Sequence, residues 1–245
     1  MNTTQIKPDV IQQKLNAILK LSDWYPAINS FTSSSDFTTI IDKLIEEKDK
    51  GYRFTPKLKD VFNPFIKCKL DNLKVVIFGQ DPYPMLNPVK EAETVADGLA
   101  FSCSHTMKEQ PSLTKIFDAI QSTVKTDGEY ERNPDLSRWA DQGVLLLNTA
   151  LTTQLNKPGT HYEIWNEFIS FVLDYLYWNK PDLVFILMGK VAAEWEDFIN
   201  DSNSFTILTE HPAAACYKKT DWDSKNCFSR ANKFLVDHNK EPIIW

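Results

Sequence analysis

The chain has 245 residues, 42% hydrophobic and 12% aromatic, with seven Trp, only seven Gly and a net charge of -6. That fits one large domain or two small ones with a sizeable core, and disfavours long flexible linkers. The negative total excludes a protein that grips nucleic acid over its whole surface, while leaving room for a local basic face. Cys68, Cys103, Cys216 and Cys227 are scattered without a C-x-x-C, which disfavours a metal site and a disulfide framework. Met1 to Val10 is polar, with no signal-peptide core, and apolar runs such as Leu183 to Leu187 are too short to span a bilayer. An intracellular, reducing location is expected, cytoplasmic or, in a eukaryote, nuclear.

Apolar periodicity predicts a helix over 8–21, with Ile11, Leu15, Ile18 and Leu19 on one face. A second is predicted over 36–49, with Phe37, Ile40, Ile41 and Leu44 inside. An aromatic stretch from Thr55-Pro56 through Phe62 and Phe65 leads to a first strand at 74–78. This strand is apolar and β-branched, stops at Gly79 and gives way to Gln80-Asp81-Pro82-Tyr83-Pro84. Proline lacks the N–H that a central strand needs, so a stiff loop follows, carrying one carboxylate and one phenol. Ligands of open α/β sheets bind just beyond such strand ends. The bland alternative is an ordinary strand-ending turn.

A polar spacer over 85–100 is followed by a helix opened by Pro111, with Leu113, Ile116, Phe117 and Ile120 on one face. Residues 133–141 read as turn-like, anchored by Trp139. A second strand, 143–148, ends in Asn148. An amphipathic helix covers 162–178, a third strand 183–188 stops at Gly189, and a helix is predicted over 191–199. A fourth strand, 205–208, runs into Glu210-His211-Pro212, and the last helix covers 226–238. Apolar strands alternating with helices mean an α/β fold with a parallel sheet covered by helices. Three of the four strands deliver Asp81, Asn148 and His211 within a few residues of their ends.

Five segments then occur in order: Gly79-Gln80-Asp81-Pro82-Tyr83-Pro84, Gly98-Leu99-Ala100-Phe101-Ser102, Pro111-Ser112-Leu113, the run from Trp139 to Asn148, and His211-Pro212. Together they resemble the main, uracil-excising family of uracil-DNA glycosylases. The resemblance covers about residues 52 to 245, down to the Glu241-Pro242-Ile243-Ile244-Trp245 ending, within a chain read as a single domain. Residues 1–50 form a helical N-terminal extension.

The resemblance implies a three-layer α/β/α sandwich around a central four-stranded parallel sheet. It implies a monomeric hydrolase of base-excision repair that flips uracil out of single- or double-stranded DNA and leaves an abasic site. No metal or cofactor is expected, and a proteinaceous inhibitor could occupy the DNA face. By position in the motifs, Asp81 would stabilise the cationic sugar and orient the attacking water, and His211 would hydrogen-bond the departing pyrimidine oxygen. Asn148 would read the pyrimidine edge, Phe101 would stack on its face, Tyr83 would reject a thymine methyl, and Gln80 would offer its backbone amide. Ser112, Gly189 and Lys190 match loops that pinch phosphates, with Lys190 standing where the family usually has serine. Lys218, Lys219, Lys225, Arg230 and Lys233 form a local basic stretch, some of which a solvated helix face explains equally well.

Three departures stand out. Pro84 replaces a common histidine, and the spacer from Met85 to Ala100 is longer than usual, which could reshape base selection or bind a partner. After His211-Pro212 the family continues Ser-Pro-Leu-Ser, a loop whose leucine fills the gap left by the flipped base. Here Ala213-Ala214-Ala215-Cys216 reduces the wedge to the methyl of Ala215, with Tyr217 or Lys218 as substitutes. Weaker action on duplex than on single strands is expected. Two alternatives stay open: the same chemistry on another modified pyrimidine, or a DNA-binding replication scaffold with weak activity.

Overall fold

The computed structural model describes residues 7–90, 92–124, 130–199 and 203–245. Residues 1–6 of the N-terminal extension and residue 91 of the spacer lie outside them. Three helices come first, α1 (Pro8–Leu19), α2 (Tyr25–Thr32) and α3 (Ser35–Asp49), followed by a short strand β1 (Phe54–Thr55) and α4 (Asn63–Lys67). The central elements are β2 (Val75–Gly79), α5 (Pro111–Thr123), α6 (Ser137–Ala140) and β3 (Val144–Asn148). After them come β4 (Thr153–Gln154), α7 (Tyr162–Asn179), β5 (Val184–Met188), α8 (Lys190–Ala193) and α9 (Glu196–Ile199). The chain closes with β6 (Phe205–Thr209), α10 (Pro212–Lys218) and α11 (Cys227–Asp237).

β3, β2, β5 and β6 lie side by side in that order, all parallel. Successive side chains of a strand face opposite sides of the sheet, and the two cores follow that alternation. Val76 and Phe78 of β2, Leu145 and Leu147 of β3, and Phe185 and Leu187 of β5 join one apolar cluster with α1–α4 and α7. Val75, Ile77, Val144, Leu146, Val184 and Ile186 join the other, with α5 and α11. Two covered faces explain why β2, β3 and β5 are buried along their whole length instead of alternating, whereas the edge strand β6 carries Thr206 and Thr209 and exposes Leu208. Each fully buried Leu, Ile or Phe contributes roughly 1.5–3 kcal/mol of transfer free energy, so the layers hold together largely through these strands.

From β2 the chain crosses to β3 on one side and returns to β5 on the other. This reversal leaves a crevice beyond the carboxyl end of β2, where the loop from Gln80 to Pro84 begins.

Several local expectations change. α2 escapes a periodicity reading because Ala27, Ile28 and Phe31 span only two turns. The helix expected over 191–199 breaks into α8 and α9, with Trp195 turned into the core. The turn-like 133–141 contains α6. The spacer is folded rather than loose: Val95 N–H donates to Met85 C=O at 3.0 Å, Asn87 N–H to Glu93 C=O at 2.9 Å, and the buried Asn87 amide to His105 C=O at 3.1 Å. The segment after His211, expected as a loop, is the helix α10. Pro212 sits in its first turn and three alanines follow, the best helix formers.

Candidate active site

β2 and β3 end level, with Gly79 paired to Asn148. Asn148 is 3% exposed, and its amide has no hydrogen-bond partner among the described residues. The amide opens on the cavity described below, so its donor and acceptor are free for a group that enters from outside. Gly79 makes this approach possible. A Cβ there would stand 2.4 Å from Asn148 Oδ1 and 3.3 Å from Phe101 Cε2. Immediately beyond, Thr149 Oγ1 donates to the Gln80 carbonyl at 2.7 Å and Ala150 N–H to the same oxygen at 3.3 Å.

Asp81 sits at the mouth of the crevice. Gly159 N–H donates to its Oδ2 at 2.6 Å, across 78 residues of sequence. Burial raises its carboxyl above the ordinary aspartate value, while the Gly159 N–H and the Thr153 hydroxyl oppose that rise. Tyr83 donates its phenol hydrogen to Phe101 C=O at 3.1 Å, and burial drives the phenol pKa well up. Phe101 is buried at φ +65, a left-handed conformation that a side chain rarely adopts. Ala100 N–H, donating to Leu146 C=O at 3.0 Å along the outer edge of β3, holds the loop in that shape from the other side.

His211 follows β6 and caps α10. Its Nδ1 accepts from Ala213 N–H at 3.2 Å, so the proton of the neutral ring is on Nε2. Burial lowers its pKa to about 4, so the ring is neutral at physiological pH. The ring packs against Phe101 at 5.7 Å between centroids. Gly189 backs it: a Cβ there would meet His211 Cβ at 2.9 Å.

One cavity of about 660 Å³ takes in Gln80, Asp81, Tyr83, Phe101, Asn148 and His211, together with Ser112 and Tyr217. The other sequence-stated contact residues fall elsewhere. Gly189 and Lys190 are not on its wall; Gly189 supports His211, and Lys190 is exposed at the start of α8. Ser112 lies inside the first turn of α5, whose cap position is Gln110, and is buried against the cavity. Ala215 is 4% exposed in the core and cannot act as a wedge. Tyr217, two residues on, is 87% exposed at the cavity mouth. Lys218 pairs with Glu210, Lys225 with Asp223 and Lys233 with Asp237, so much of the basic stretch is neutralised locally. Gly159 and Pro158, which sequence reading passed over, close the wall beside Asp81. Their only signal was the turn-forming Asn156-Lys157-Pro158-Gly159.

The sequence pattern of the Uracil DNA glycosylase superfamily matches residues 65–236. The chain belongs to that superfamily. A uracil-DNA glycosylase of Acinetobacter baumannii (strain SDF) is 33% identical over 235 residues, covering 96% of this chain and 95% of the relative. One from Amoebophilus asiaticus (strain 5a2) is 37% identical over 202 residues, covering 82% and 87%. Among solved structures, a mimivirus UNG variant in complex with UGI superposes with a TM-score of 0.81 at 26% identity, covering 91% of this chain and 87% of that one. The sheet and its flanking helices described above are those of this family.

Proposed function

We propose that this chain is a uracil-DNA glycosylase that hydrolyses the N-glycosidic bond of uracil in DNA, leaving an abasic site for base-excision repair. The observation that carries this is a single cavity shared by the Asp81 carboxylate, the unpartnered Asn148 amide and the neutral His211 imidazole.

A base inside a stacked duplex cannot reach such a cavity, so the nucleotide leaves the stack and enters it. Asn148 pairs with the uracil edge, its carbonyl oxygen accepting from N3–H and its NH2 donating to O4; cytosine presents the opposite polarity and leaves buried groups unpaired. Phe101 lies against the base, and Tyr83 occupies the space beside C5. As the glycosidic bond breaks, positive charge grows on the sugar and negative charge on the pyrimidine. Asp81 faces the first and orients the water that attacks the anomeric carbon. His211 answers the second by donating its Nε2 hydrogen to the pyrimidine oxygen, which a neutral imidazole does without adding a formal charge.

Along the DNA, Ser112 and Tyr217 contact the strand, and Tyr217 takes the gap-filling part that a leucine plays in the family. Gly189 acts through His211, and Lys190 supplies a point charge near a phosphate. The same face is where an inhibitor such as UGI would sit. No helix among the described residues is long and apolar enough to cross a membrane; with DNA as substrate, an intracellular location follows.

The deciding experiment measures abasic-site formation on single-stranded oligonucleotides containing uracil or other altered pyrimidines. Release of uracil above the others is expected. Met85, which comes from the long spacer and enters the cavity wall, is the reason for including the altered pyrimidines. Preferential release of one of them would reassign the substrate, and no release at all would reject the enzyme.

A further inference from the structure

Glu47 lies in the last turn of α3, before the family match at 65–236, yet it reaches the loop behind Asp81. Its Oε2 accepts from His161 Nε2 at 2.7 Å and from Gln154 Nε2 at 2.9 Å. His161 is 0% exposed, and its Nδ1 meets Thr152 Oγ1 at 2.7 Å. That hydroxyl oxygen also accepts Trp165 Nε1–H at 2.7 Å. Burial lowers the His161 pKa, so the ring is neutral; its one hydrogen is directed at the acceptor-only Glu47 carboxylate, and Nδ1 accepts from the Thr152 hydroxyl.

Both ends of the segment 152–161 are tied in this way. Between them, Leu155 N–H donates to Arg53 C=O at 2.7 Å, Gln154 N–H to Thr160 Oγ1 at 3.0 Å, and Asn156 N–H to Pro84 C=O at 2.5 Å. The turn so formed presents Gly159 N–H to Asp81 Oδ2 at 2.6 Å. An N–H bond to a carboxylate both fixes its orientation and favours its ionised form.

We propose that Glu47 is a positioning residue for glycosidic cleavage: through His161 and Gln154 it holds the 153–160 turn so that Gly159 restrains the Asp81 carboxylate. The N-terminal helices are then a working part of the active site and not an appendage. The proposal rests on Asp81 being the catalytic carboxylate. Asp81 is faced by Gly159, Thr153 and the Tyr162 phenol, with His211 across the cavity. Glu47 is faced by His161 and Gln154, and a neighbouring surface cleft adds Lys43, Glu46, Lys50 and Glu163. Apart from Asp81 in the double variants, none of these neighbouring residues is substituted below.

The test measures uracil release from a single-stranded oligonucleotide against pH, with the full chain and with Glu47→Ala and Glu47→Gln, each also combined with Asp81→Asn. Glu47→Ala should lower kcat by about ten- to a hundredfold and leave KM nearly unchanged, the size expected of a misplaced catalytic group. Its acid limb should move to higher pH, because losing the Gly159 N–H raises the Asp81 carboxyl further. Glu47→Gln keeps one acceptor oxygen for His161 and should give a smaller shift in the same direction. On the Asp81→Asn background, Glu47→Ala should cost nothing more. A variant that loses thermal stability but keeps kcat and the acid limb overturns the proposal, leaving Glu47 a structural residue. Should Glu47→Ala fail to fold, an unmoved limb and kcat in Glu47→Gln overturn it equally. Full turnover by Asp81→Asn alone is a separate failure, which removes the catalytic assignment and this proposal with it.

Discussion

Backbone groups build the β2 wall of the cavity, and a short helix builds the β6 wall. On the β2 side, the Gln80 carbonyl is taken by Thr149 and Ala150, Asp81 by Gly159, the Tyr83 hydroxyl by Phe101 and the Pro84 carbonyl by Asn156. The loop is thus held from three sides: by the end of β3, by the 153–160 turn and by Phe101. On the other side, α10 offers Ala213, Ala214, Cys216 and an exposed Tyr217, and its Lys218–Glu210 pair is a surface ion pair worth about 0–1 kcal/mol. The loop after β2 is held from several sides, whereas the opposite rim is set by one helix and is free to change its side chains. That contrast explains how the chain can lack the leucine loop of its family and still keep the chemistry.

The contrast breaks first at Asp81. Asp81→Asn preserves the shape but removes the charge, and should lower turnover on the order of 10³-fold or more while uracil-DNA binding persists. Single-turnover kinetics beside a binding titration separate the two effects. Binding lost together with turnover would mean that Asp81 holds the loop rather than the sugar cation.

His211 comes next, the one chemical group of the β6 side. His211→Ala removes a donor to the departing pyrimidine and should cost about 10²- to 10³-fold in kcat. Its pH behaviour tests the wall itself. Burial holds the imidazole near 4, below its ordinary value of 6.5, so it is neutral throughout pH 5 to 8 and contributes no limb there. Asp81 is shifted the opposite way, above the ordinary 3.8, and must be ionised, so activity falls with decreasing pH through its raised pKa. In stability the sign for His211 is the same: between about 6.5 and 4 the unfolded chain binds a proton that the folded chain refuses, and folding weakens as pH drops. A limb near 6.5 that vanishes in His211→Ala would show the ring titrating as if exposed.

Gly79→Ala sharpens the comparison by disturbing only the buried wall. The added methyl meets Asn148 Oδ1 at 2.4 Å, and the amide must move. A displacement near 1 Å costs up to about 100-fold, so a ten- to hundredfold loss of kcat/KM for uracil is expected, with the fold intact by circular dichroism. Unchanged kinetics would mean that the amide position is not what reads the base.

Asp81, Asn148 and His211 were legible because each follows an apolar run that could only be a strand, and parallel strands bring their tips to one edge. Gly159 and Glu47 were not. The first acts through a backbone N–H, which any residue but proline carries, and it meets Asp81 across 78 positions. The second reaches His161 across 114 positions, from a helix whose charged face reads as ordinary solvent exposure. Ala215 differs from its expected place for another reason: the family's loop pattern falls here on a stretch whose own propensity is helical. In a helix, positions three apart share a face, so Ala215 turns inward with Pro212 while Tyr217 turns out.

That rotation makes the smallest prediction the most specific to this chain. Tyr217→Ala should reduce excision from duplex DNA by about fivefold, near the lower end of what one stacking side chain contributes, and leave single-stranded excision unchanged. A single strand has no gap to fill, so an equal loss on both substrates would make Tyr217 part of the cavity wall instead of a wedge. The complementary change, Ala215→Leu, restores the residue type of the family at the aligned position. In a loop it would rebuild a wedge and raise duplex activity. In α10 it forces extra carbons into a packed core, where overpacking costs roughly 1–3 kcal/mol, so a lower Tm with no gain on duplex is the expected result. A gain on duplex at unchanged Tm would mean that residues 212–218 leave the helix when DNA binds, and the division between a fixed wall and a variable rim would then become one between a fixed wall and a mobile one.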